Sequence, residues 1–208
     1  MYLESTFQSL NDSQQIVWHG ALSRLFRSCR MLVESLNADI RAGVLPEKFC
    51  ARSNFLDSPK FSDIRDDLGV IIERYPLAVQ SPFEGVSTIS GGIWRASDYV
   101  DAHATDALLK LQFLAGTTDL PVHSHDHSDR VILVAGGAGI FELQTNDPER
   151  PEVISTDIKM GDAIVFASGT SHTFKVPSTD LVLLSYHSPF IPLDDPRQYT
   201  ISANSRTD

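Results

Sequence analysis

The chain has 208 residues, of which 42% are hydrophobic and 21% charged, a size and balance that suit one globular domain with an extension. Its formal net charge is −10 and its Lys and Arg residues form no run, which argues against a nucleic-acid partner. No apolar stretch approaches the ~20 residues of a membrane span, the polar start Met1–Gln15 lacks a secretory pattern, and two cysteines, Cys29 and Cys50, are too few for a disulfide scaffold. The expectation is a cytoplasmic protein with reduced thiols and no membrane contact.

In chain order, residues 12 to about 75 read as helical. Asn11, Asp12 and Ser13 offer N-cap oxygens, and the run to Gly43 contains no Pro and one interior Gly, Gly20. Trp18, Leu22, Leu25, Cys29, Leu32, Leu36 and Ile40 recur at steps of three and four, so they share one helical face. That face either packs on the rest of the chain or serves as a dimerisation or regulatory helix, and a homodimer is expected. A shorter helix is expected around Phe61, Ile64 and Leu68, ending before Pro76.

From about residue 86 the texture changes to short runs of Val, Ile, Leu and Phe cut by Gly, Pro, Asn and Asp, the pattern of an all-β sandwich or barrel. Strands are expected at Val86–Arg95, Leu108–Leu114, Val122–His125, Arg130–Ala135, Gly139–Leu143, Glu152–Ile158, Ala163–Ala167, His172–Val176 and Leu181–His187. Turns fall at Thr145–Pro148 and Lys159–Asp162. The polar tail after Pro192 is expected to wrap the surface or fray. The resulting division is a helical extension over 1–80 and a β domain with its tail over 81–208.

The chemistry is concentrated in Pro121-Val-His-Ser-His-Asp-His-Ser-Asp129, followed by Arg130-Val-Ile-Leu-Val-Ala and Gly136. On an extended strand, residues two apart point to one face, so His123 and His125 can aim two imidazoles at one point. Neutral imidazole suits Fe, Zn, Ni, Cu and Mn, but two ligands rarely suffice. Asp129 offers a carboxylate across a short loop, and His172, in Gly169-Thr-Ser-His172, offers a third imidazole from a distant strand.

These residues resemble the two motifs of the cupin superfamily. The first has His-x-His, three or four residues, Glu, six residues and Gly; here His123 and His125, Asp129 and Gly136 occupy those places. The second is matched at the family's spacing by Gly161, Gly169 and His172. Departures are a slip of one residue at Gly116, Ala167 in the place of Pro, Val176 in the place of Asn, and Asp129 for Glu. The resemblance spans roughly residues 86–192 and implies an all-β double-stranded β-helix (jelly-roll) barrel with an α-helical N-terminal extension. It also implies a divalent metal, Fe(II) first and Zn, Mn or Ni as alternatives, on His123, His125 and His172. Asp129 would be a fourth ligand or a base beside the ion.

Other residues are weighed around that set. His127 continues the alternation and is either a solvent-facing loop residue or a replacement for Asp129. Of Tyr186 and His187 on the last strand, one should face the cavity and serve substrate or proton transfer. Arg95 and Lys110 are strand cations expected at the surface, and His19 and His103 receive no role. Cupins catalyse many reactions, and a fold does not choose among them. The leading expectation is an Fe(II)-dependent dioxygenase acting on a small molecule. A metal-assisted lyase or isomerase and a non-catalytic ligand sensor are the alternatives.

Overall fold

The computed structural model describes residues 12–47, 49–54, 88–145 and 152–202. The run without Pro forms one helix of 30 residues, α1 (Asp12–Arg41). It stops where Gly43 takes φ +70°, a left-handed conformation that costs glycine no Cβ clash, and the amides of Gly43 and Val44 return to the carbonyls of Ile40 and Asp39. Of the expected stripe, Trp18, Leu22, Leu25, Cys29 and Leu36 are buried, while Leu32 and Ile40 are only half-buried. Ala21, Phe26 and Val33 complete the face, because a helix packed on a sheet buries more than a single row of side chains. The expected helix around Phe61, Ile64 and Leu68 and the turn after Thr145 lie outside the described residues.

The remaining elements are β1 (Cys50–Asn54), β2 (Thr88–Arg95), a one-turn helix α2 (Ala96–Tyr99), β3 (Ala107–Phe113), β4 (His123–Ser124), β5 (Asp129–Gln144), β6 (Val153–Lys159), β7 (Asp162–Phe166), β8 (His172–Lys175), β9 (Leu181–Ser188) and β10 (Thr200–Ile201). Two of these correct the sequence reading. β1 falls where helix was expected; it runs antiparallel along β7, from Cys50 opposite Phe166 to Asn54 opposite Asp162. A five-residue segment has too little periodicity of its own to resist pairing with an open strand edge. The expected strands Arg130–Ala135 and Gly139–Leu143 are one strand, β5, of 16 residues.

β5 organises the barrel. Its first half pairs with β7 and β9, and its second half with β6 and β8, all antiparallel. One sheet therefore runs β1-β7-β5-β9-β3-β2 and the other β10-β4-β8-β5-β6, joined along a single bent strand. The bend lies at a register shift between Val134 and Gly136, and Gly137 there has φ +73°. This is a double-stranded β-helix, and it agrees with the architecture the histidine motifs imply.

Alternation along the strands builds two cores. Ile132, Val134, Phe141, Ile164, Phe166, Phe174 and Leu183 fill the barrel interior. Val131, Leu133, Ala163, Leu184 and Tyr186 point outward and are covered by Leu22, Leu25 and Phe26 of α1. Each such side chain contributes about 1.5–3 kcal/mol when fully buried. A polar tie adds direction: Arg30 of α1 bonds Asp106 at 2.9 and 3.1 Å, and the Tyr186 hydroxyl donates to the same carboxylate at 2.7 Å. No helix among the described residues is long and apolar enough to cross a membrane.

Candidate metal centre

The three expected imidazoles meet. His123 lies on β4 directly opposite His172 on β8, and His125 follows in the loop after β4. The ring centroids are 4.6 Å apart for His123 and His172, 5.0 Å for His123 and His125, and 5.4 Å for His125 and His172. One ring nitrogen from each lies within 4.8 Å of the other two. Among the described residues no other His, Cys, Asp or Glu joins this group.

The hydrogen bonds set the tautomers. Nδ1 of His123 lies 2.9 Å from the Pro121 carbonyl oxygen, Nδ1 of His172 2.9 Å from that of Thr170, and Nδ1 of His125 2.6 Å from that of Gln198. A carbonyl only accepts, so each Nδ1 carries the proton and each Nε2 is the unprotonated nitrogen. Metal-binding histidines are oriented in this way by their second nitrogen. For His123 and His172 the carbonyl is two residues upstream and local. For His125 it comes from the C-terminal tail, which β10 ties down by pairing with His123 and Ser124 of β4. The Thr200 hydroxyl adds a bond to Asp126 at 2.6 Å. Of the two expectations for the tail, residues 198–202 follow the first: they wrap onto β4, and they brace a candidate ligand.

The electrostatics match neutral donors. Burial pushes His123 down from the ordinary 6.5 to about 4, with the Arg130 charge acting the same way against the Pro121 hydrogen bond. Burial also holds His125 and His172 well below 6.5, assisted by Arg130 and by the other imidazoles. These groups resist protons that the unfolded chain accepts. Their contribution to stability is complete above pH 6.5 and is lost as the pH falls toward about 4, where His123 titrates in the folded protein. The stability of metal-free protein is expected to fall across that window by on the order of 3 kcal/mol from one such histidine, read as a steadily falling thermal midpoint. A midpoint that stays level through it would contradict the burial of these rings as neutral donors. Three neutral, oriented imidazoles, those of His123 and His172 buried and that of His125 half-buried, form a donor set that fits a first-row divalent metal.

Asp129 does not join them. It shares the outward face of β5 with Val131 and Leu133, where its Oδ2 accepts from Asn37 of α1 and its Oδ1 from the Ser168 amide, each at 2.8 Å. The inward residue at that end of β5 is the next one, Arg130. It is 1% exposed and stands opposite Phe166 of β7 and His187 of β9. The sequence reading missed it, although the motif's four-residue spacing leads from His125 to Arg130 and its six-residue spacing from there to Gly137.

Strand alternation also divides the last pair. His187 faces the interior, with its ring 6.1 Å from that of His125 and its Nε2 2.9 Å from the Ser185 hydroxyl. Tyr186 faces α1 and bonds Asp106, so it takes no part in the histidine cluster. His127 is exposed in the turn, as are His19 and His103. Arg95 is exposed as expected. Lys110 is buried, contrary to expectation, on the face of β3 that carries Leu108 toward the helix.

No protein-family model and no curated protein matches the chain. Among solved structures it is similar to an oxalate oxidase, with 14% identity and a TM-score of 0.43, covering 66% of this chain and 61% of that one. It is also similar to the oxalate decarboxylase of Lactobacillus farciminis, with 14% identity, a TM-score of 0.40 and coverage of 56% and 31%. For the 7S globulin of Momordica charantia the values are 18%, 0.41, 52% and 32%. The chain thus spans less than two thirds of the length of each. By its own strand order and the meeting of its histidines, the chain has the cupin fold, with a triad positioned to bind a metal.

Proposed function

We propose that the protein is a metal-dependent enzyme acting on a small molecule, with His123, His125 and His172 as the metal ligands, Fe(II) as the metal and dioxygenation as the reaction. The observation that carries the proposal is the convergence of three imidazoles, one ring nitrogen of each within 4.8 Å of the others, with every Nδ1 tied to a backbone carbonyl. Three protein nitrogens leave about three positions of an octahedral ion for other ligands. Bound there, Fe(II) supplies Lewis acidity and one-electron chemistry toward oxygen, and Zn, Mn or Ni suit the same donors. The chain's own part is to hold the three rings neutral and oriented. Phe166, Phe141 and Phe174, at 4.4, 6.0 and 6.0 Å from the His172 ring, keep water from its flank.

His187 supports a second reading, a metal-assisted lyase or isomerase. Its buried ring stands beside His125, its Nδ1 has no partner among the described residues, and burial keeps the ring neutral, so it is placed to exchange a hydrogen bond or a proton with substrate. Elemental analysis of protein purified without added metal, followed by turnover of a panel of small organic acids with and without oxygen, tests both readings. About one equivalent of iron and turnover that consumes oxygen are expected. Turnover of the same compounds without oxygen would transfer the assignment to the second reading, and a chain that takes up no metal would sink both.

A further inference from the structure

Arg130 is the residue of the barrel interior that neither the histidine triad nor the fold accounts for. Its guanidinium is fully buried, and its charge is felt by His123, His125, His172 and His187 alike. Nη1 donates to the Ser128 hydroxyl, itself bonded to the Pro189 carbonyl, and to the Asp129 carbonyl at 3.3 Å. Among the described residues Nε and Nη2 have no partner. These two nitrogens are not an arbitrary pair: they form the side-on edge of the guanidinium, where two N–H bonds run parallel at the spacing of a carboxylate's two oxygens.

Among the described residues no acid pairs with this edge. Asp129, the acid whose charge Arg130 feels, accepts with its two oxygens from Asn37 and from the Ser168 amide. A buried cation left so is costly, and a divalent ion on the neighbouring imidazoles would deepen the excess of positive charge. Desolvation pulls Arg130 down to about 9, which still leaves it cationic at neutral pH. His187, opposite Arg130 in register, adds on the same interior face a second buried polar atom, Nδ1, that has no partner among the described residues.

We propose that the Nε–Nη2 edge of Arg130 is the receptor for a carboxylate group, so that the substrate of this barrel is a small organic acid held by Arg130 next to the histidine triad. The inference rests on the functional reading above and narrows it to a substrate class. Arg130 then acts as a binding and orienting residue: it receives the acid group, and the rest of the molecule lies toward His125 and His187.

Isothermal titration of the full-length, metal-replete protein with acetate tests this, repeated on R130M and R130K. Saturable binding by the wild type is expected, weakened by roughly tenfold or more in R130M and by less in R130K, because Lys keeps the charge but not the parallel fork. Equal affinity in wild type and R130M overturns the proposal. So does a wild type that ignores acetate, or one that prefers inorganic phosphate. If R130M does not fold, the Arg130 Nε–H resonance of the wild type reports the same event: acetate should shift it, and an unmoved resonance overturns the assignment. Metal content of the same samples separates the two readings. A chain without metal whose acetate binding still depends on Arg130 defeats only the metal reading, whereas metal-replete protein whose acetate binding ignores Arg130 defeats only this one.

Discussion

His172→Ala should cost the protein its metal. Removing one of three imidazoles takes away the ligand that faces His123 across the β4–β8 pair and leaves two nitrogens to hold the ion. Affinity should fall by more than about 100-fold, since disturbing even the residues that orient a ligand costs 10–100-fold. After dialysis, elemental analysis should find about one equivalent of metal in the wild type and close to none in the variant. Added metal at ~100 times its Kd should stabilise the wild type by about 2.7 kcal/mol and leave the variant's melting curve where it was. Two controls sharpen the result. His127→Ala removes an exposed ring and should keep the metal. Asp129→Asn should keep it as well, because that side chain bonds α1 and the Ser168 amide, and an amide oxygen can still accept from the latter. Loss of metal in Asp129→Asn would restore the carboxylate to the ligand set.

Gly137→Ala should damage the fold severely for a single methyl. A Cβ built there would sit 1.7 Å from the Asp180 carbonyl oxygen and 2.8 Å from its carbon, and the backbone has φ +73°. The left-handed backbone alone costs a non-glycine residue about 1–2 kcal/mol. The clash is with backbone, which cannot rotate aside, so β5 and β9 must separate at the bend that joins the two sheets. A loss of about 4 kcal/mol or more is expected, read as a fall of roughly 10 °C in the thermal midpoint. Gly43→Ala is the comparison: it has a similar φ of +70° but nothing within 4 Å, and should cost only about 1 kcal/mol. If the two variants melt alike, the close approach of β5 and β9 is not what that glycine serves.

Much of the site is legible in the sequence because its signals are local or strictly spaced. His123 and His125 lie two apart on extended chain, and the glycines around His172 mark a turn, with Gly169 at φ +75°. The same alternation misled at the edges. Counting three residues from His125 reached Asp129, and only the register of β5 against β7 and β9 shows that the next residue faces inward. One step along a strand reverses the face, so an acid was read where the interior has a cation. Tyr186 and His187 were left undivided for the same reason, and the pairing with β3, which sets Leu108 against Tyr186 and Ala107 against His187, separates them.

What the amino-acid order determined by itself was the all-β texture after residue 86, the long helix ending at Gly43 and the three imidazoles, each written in periodicity, turn chemistry or short spacing. What the tertiary structure alone decided was which backbone meets which. Cys50–Asn54 became a strand because β7 offered an edge. Gln198 came to orient His125 from 73 residues away. Arg130 was left buried with its side-on edge unpaired among the described residues. Such contacts depend on main-chain atoms and on register, which carry no residue-specific pattern for a sequence to display.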